Sequence, residues 1–164
     1  MKEAKEETYI DFIKGDDESK RLYGDYIRDK KDIMIFEMKV DDISETVINR
    51  VDESIVADFD YSDESLESLE NIIDDAFKYE ENLDFNLVED MVMDLGSYLG
   101  LTILNNMGGE WRFRSDLLHA SIYFKSIDAE CFPYHRVARR LLYGKIESLT
   151  DFYVSLLQVL GATD

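Results

Sequence analysis

Cysteine and proline occur once each in 164 residues, and positive charge is scarce, with 18 Lys and Arg against 37 Asp and Glu for a net charge of −19. A lone Cys131 excludes an internal disulfide and cannot by itself build a zinc site. The single Pro133, with no Gly/Ser-rich stretch, leaves nothing that reads as a linker. No apolar run approaches the roughly 18 residues of a membrane span, and the N-terminal MKEAKEETYIDF lacks the apolar core of a signal peptide. The acidic excess would repel a nucleic-acid backbone or an anionic membrane. These absences lead us to expect a soluble, cytoplasmic protein without nucleic-acid or membrane partners.

What is present is core material: 45% of residues are hydrophobic and 12% aromatic. A chain of this length can bury one sizeable core, so we expect a single domain over 1–164. The charge is local. Residues 41–94 carry 19 acidic and 2 basic side chains, whereas residues 95–164 carry 7 of each. This separates an acidic helical part, about 41–94, from a helix-hairpin-helix-helix part, about 86–161.

Residues 19–39 show helical spacing, with Leu22, Tyr23, Tyr26, Ile27 and Met34 as markers, although Ile33–Phe36 reads equally as a short strand. Ile43, Val47, Val51 and Ile55 recur every four residues and suggest a helix over 42–56. Ser62 reads as the N-cap of a helix over about 63–81. Its apolar stripe is Leu66, Leu69, Ile73 and Phe77, with Glu67, Glu70, Asp74 and Asp75 largely away from it. Asn86 and Glu89 resemble a capping box opening the central helix, marked by Val88, Met91, Val92, Leu95, Leu99 and Ile103 and closed by Gly108-Gly109. Gly96 and Gly100, four apart within it, suit close approach of the sheet or another helix.

Beyond the glycines the period changes to two. Trp111 and Phe113 alternate with Arg112 and Arg114, residues 118–125 read as a second strand after a Ser115-Asp116 turn, and 129–132 as a short third. Pro133 suits the start of a helix over 134–143 ending at Gly144. Ser148 and Asp151 form a capping box for a closing helix that ends at Gly161. The expected fold is α+β: a helical N-terminal half, a long central helix, a small antiparallel sheet of two or three strands and two C-terminal helices.

Few motifs carry chemistry. Asp58–Glu64 alternates oxygen-bearing side chains, but a calcium loop starting at Asp58 would need Gly where Asp63 stands and Glu where Leu69 stands. His119 and His135 fit no zinc pattern, and Cys131 with His135 supplies two ligands at most. A Cys131–His135 nucleophile pair is conceivable, although an isolated cysteine in a strand is usually a small buried hydrophobe. We expect no catalytic residues, no metal site and no cofactor. Arg112, Arg114, Arg136, Arg139 and Arg140 offer an anion patch, unless they pair with this chain's own carboxylates, which is the reading we favour.

Leu95–Gly100, Asn106–Trp111, Phe132–Val137, Arg140–Gly144 and Ser148–Tyr153 together resemble a loosely defined group of small uncharacterised bacterial proteins. Their shared pattern is a glycine-containing helix, a Gly-Gly-x-Trp hairpin entry, a proline-started helix and a closing helix. The resemblance covers about residues 95–157; it implies fold and bacterial origin, and it supplies no catalytic residue.

The functional expectation is a non-enzymatic acidic binding protein, of the immunity or inhibitor type, that meets a basic protein through Asp60, Asp63, Glu64, Glu67, Glu70, Asp74 and Asp75. One alternative is an enzyme or small-ligand-binding domain using Glu110, His119, His135 and the arginines of the C-terminal half. The other is a DNA mimic, which would need carboxylates spaced like phosphates, about one per 1.7 Å of duplex axis.

Overall fold

The computed structural model describes residues 12–14, 16–51, 58–79 and 85–161. Strand β1 (Phe12–Lys14) leads to α1 (Asp16–Tyr23) and α2 (Lys30–Arg50); α3 (Ser65–Tyr79) and the long α4 (Phe85–Met107) follow. Strands β2 (Glu110–Arg112), β3 (Ser121–Phe124) and β4 (Ala129–Cys131) precede α5 (Pro133–Tyr143) and α6 (Leu149–Gly161). The sheet runs β1-β4-β3-β2, antiparallel throughout, with Phe12 opposite Cys131, Ile122 opposite Cys131 and Trp111 opposite Ile122. This is the expected α+β layout, and among the described residues β1 adds a fourth strand to the two or three that the sequence patterns announce. The added strand is three residues long and carries no alternation of its own.

Two further boundaries differ from expectation. The helical spacing of residues 19–39 conceals a break: the chain leaves α1 through Gly24, at φ +86°, and re-enters helix at Lys30, where the Asp29 carboxylate accepts from the amides of Lys31 and Asp32. Residues 33–36 are therefore helix, continuous with the stretch that includes Ile43 and Val47. Residues 118–120 are no strand. Asp116 instead accepts from the His119 amide and caps a single 3-10 turn, Leu117–His119. Ile55 lies outside the described residues, as do the side chains of Phe77 and Asn86.

Helix α4 is the organising element and packs most extensively against α5 and α2. Leu95, Tyr98, Leu99 and Ile103 are fully or almost fully buried, as expected of its apolar girth. Its two glycines explain the packing distance. A Cβ on Gly96 would overlap the Tyr134 ring of α5, and one on Gly100 would overlap the Trp111 indole of β2. Trp111 in turn stacks on Phe113 at 5.3 Å, and Phe113 on Phe36 of α2 at 5.1 Å. Gly100→Ala should therefore cost about 1–3 kcal/mol by overpacking. A chemical-denaturation midpoint equal to wild type would show that Trp111 yields without cost. Gly108 and Gly109, at φ +78° and +91°, close α4 in the left-handed conformation that glycine permits.

Candidate functional site

The C-terminal arginines do not assemble into one open patch, and the anion-patch reading is corrected by where their guanidinium groups go. Arg112 and Arg114 approach Glu130 of β4 at 3.9 and 3.4 Å, and Glu130 is wholly buried. Ser121 Oγ donates to the same carboxylate at 2.6 Å, while Arg114 also donates to the carbonyls of Gly24 and His119. Arg136 and Arg139 share Glu147, at 2.9 and 2.8 Å. Arg140, 2% exposed, donates to Glu70 at 2.9 Å and to Asp74 at 2.8 Å. A buried guanidinium is tolerated only when carboxylates and carbonyls replace the water it has lost. An incoming anion would have to displace those partners.

The same pairs correct the expected acidic face. Glu70 and Asp74 turn inward from α3 to meet Arg140, and Glu70 also accepts from the Leu149 amide at the start of α6. They tie three helices together. Asp75 stays exposed but borders a different feature, a largely apolar groove of about 360 Å³ with Val47, Ile72, Met91 and Leu95. Asp94 stands at that groove, 2.9 Å from Arg50, with its pKa raised chiefly by burial.

What remains of the face gathers at the entry to α3. Asp60, Glu64 and Glu67 are exposed and, with Asp58, line a concavity of about 510 Å³ that also presents Ser62 and Ser68. Asp63 is exposed beside them without lining it. Carboxylates are favoured here locally, because the first turn of a helix presents unpaired amides and the positive end of its dipole. The expected N-cap is present: Ser62 Oγ accepts from the Ser65 amide at 3.3 Å, although regular helix begins only at Ser65. Ser62 donates to Asp60 through both its hydroxyl and its amide, which holds the Asp60 pKa below its ordinary value.

The loop that carries these groups is fixed by a residue the sequence patterns did not single out. Tyr61 adopts φ +61°, a left-handed conformation that costs a non-glycine residue about 1 kcal/mol or more. Its ring stacks on Tyr98 of α4 at 4.7 Å, and its hydroxyl pairs with Ser44 of α2 at 2.8 Å. Its amide donates to Tyr98 Oη, and its carbonyl accepts from Asn106 Nδ2. Four contacts to two core helices thus hold the acidic rim in place. Among the described residues, no group of three or more His, Cys, Asp or Glu is placed to hold one metal ion. Several carboxylates lining one concavity suit a cationic group such as a guanidinium or an ammonium.

Of the residues of the enzyme alternative, the two histidines come together beside Arg114, whereas Glu110 lines a different concavity. His119 Nδ1 meets His135 Nε2 at 2.9 Å, with Tyr23 of α1 stacked on His119 and Phe132 on His135, each at 5.0 Å. Burial, then His119 and Arg114, push the His135 pKa down to about 3. His135 Nε2 is therefore engaged by His119, and Cys131 is buried in β4. Glu110 lines a concavity of about 560 Å³ with Asn106, Lys125 and Leu157, whose lining includes neither histidine. Compared with protein-family models, curated proteins and solved structures, the chain matches none.

Proposed function

We propose that this chain is a non-enzymatic acidic binding protein, of the immunity or inhibitor type, that takes Arg or Lys side chains of a basic protein into the concavity at the start of α3. The observation that carries this reading is the convergence of Asp58, Asp60, Glu64 and Glu67 on one concavity, with a rim that Tyr61 ties to α2 and α4. A rim already held in its bound geometry loses little entropy on binding. The net charge of −19 adds long-range attraction, which acts mainly on the association rate. No helix among the described residues is long and apolar enough to cross a membrane.

The variant Asp60→Asn/Glu64→Gln/Glu67→Gln removes three exposed charges and no buried pair. Surface plasmon resonance against the captured basic partner should show association slowed about 10-fold at low salt, with the gap closing as salt rises. Association kinetics equal to wild type at low salt would overturn the assignment of the concavity as the recognition site.

A further inference from the structure

Helix α2 presents a face that no other part of the described residues covers. Val40, Ser44 and Val47 are buried on one side, while Met34, Ile35 and Met38 stand 57, 62 and 59% exposed on the other. At 100° per residue, Lys31, Met34, Ile35, Met38, Asp42 and Glu45 fall in one stripe about 100° wide, opposite Val40. Lys31, Asp42 and Glu45 are likewise exposed. The stripe has a cation at its N-terminal end, three large apolar side chains in the middle and two anions at its C-terminal end.

That order is its own complement under a two-fold axis. A second α2 laid antiparallel, with Ile35 against Met38 of the other copy, sets Lys31 against the other copy's Asp42 at both ends at once. We infer that the Lys31–Glu45 stripe of α2 is a homodimer interface, formed antiparallel with a second copy of this chain. An isologous interface needs this self-matching of one patch, and the opposite charges at the two ends fix the antiparallel direction. The stripe shares no residue with the acidic concavity, so the dimer neither depends on the proposed function nor follows from it.

Three half-exposed side chains per copy make a contact smaller than the roughly 800 Å² per partner of a stable interface. The dimer is accordingly weak, with a dissociation constant of about 10⁻⁴ M. Sedimentation equilibrium over about 10 µM to 1 mM, in about 0.15 M salt to screen the mutual repulsion of two acidic chains, reads it directly. The weight-average mass should rise from 19.2 kDa toward twice that value. Ile35→Asp should hold the monomer mass throughout. Lys31→Asp should weaken association about 10-fold, and adding Asp42→Lys should restore it. All three positions are exposed, so melting temperatures close to wild type confirm that the variants fold. A monomer mass at the highest concentration would overturn the inference, as would association indifferent to Ile35→Asp. Failure of the charge exchange to restore what Lys31→Asp removes would overturn the antiparallel register.

Discussion

Arg140→Ala should lower the melting temperature by about 8 °C, from a loss of about 2–4 kcal/mol in a chain of this size. The side chain is 2% exposed and its two acceptors, Glu70 and Asp74, are 15 and 37% exposed. Truncation leaves Glu70 facing a cavity without its guanidinium and Asp74 with only the exposed Lys145 at 3.7 Å, and Glu70 also caps α6 through the Leu149 amide. The partial exposure of Asp74 admits water to one carboxylate, which places the effect toward the lower part of the range for a wholly buried pair. Arg140→Met combined with Glu70→Gln and Asp74→Asn should recover more than half of the loss, because replacing a buried charge together with its partners is often nearly neutral and the Lys145 left behind is 80% exposed. Differential scanning calorimetry decides the matter. A shift below about 2 °C for Arg140→Ala would mean that the cluster behaves as a surface ion pair.

Acid should destabilise the protein through His135. In the folded chain burial holds the His135 pKa at about 3, against 6.5 for the ordinary side chain. Between those values the unfolded chain binds one more proton than the folded chain, so stability falls as pH falls, by about 1.4 kcal/mol per unit. From pH 6.5 to 4.5 the loss is about 2–3 kcal/mol, whereas above about pH 7.5 this histidine contributes almost no pH dependence. The cause is structural: His135 is 1% exposed, its Nε2 faces His119, and Arg114 lies close enough to oppose a second positive charge. Relief of acidic self-repulsion at low pH acts on wild type and on His135→Gln alike, so the difference between their urea-derived stability curves isolates the histidine. The wild-type curve should be the steeper between pH 6.5 and 4.5. Parallel curves would contradict the buried neutral state of His135.

The elements legible in the sequence were those specified by neighbours within a few residues. Gly96 and Gly100 marked close approach, and the structure supplies Tyr134 and Trp111 as the groups that approach. Pro133 opens α5, and Ser148 Oγ accepts from the Asp151 amide at the start of α6, as the capping pattern implied. Local patterns failed where the determinant is distant. Strand β1 exists because β4 pairs with it, and three residues carry no periodicity to announce that. The break between α1 and α2 was hidden because amphipathic spacing continues across it, although Asp29 followed by Lys30 and Lys31 is a readable N-cap.

The candidate site divides in the same way. Asp60, Glu64 and Glu67 were identifiable from charge and position, but Glu70 and Asp74 of the same helix could not be told apart from them. Their partner Arg140 lies 70 and 66 residues away in the chain, so only the fold reveals that they face inward. Tyr61 gave no local signal either. Its role depends on Tyr98, Ser44 and Asn106, which three-dimensional packing brings to it.

The central claim, that the concavity at the start of α3 recognises a basic partner, is tested most directly by paired capture from source-cell lysate. Tagged wild type and tagged Asp60→Asn/Glu64→Gln/Glu67→Gln are exposed to one lysate at low and at high salt, and the eluates are quantified by mass spectrometry. The account predicts one basic protein retained near stoichiometrically by wild type at low salt, weakened at high salt and lost or strongly depleted on the variant. Equal recovery of every protein on the two baits, or no stoichiometric partner on either, would contradict it and leave the acidic surface as a device for solubility.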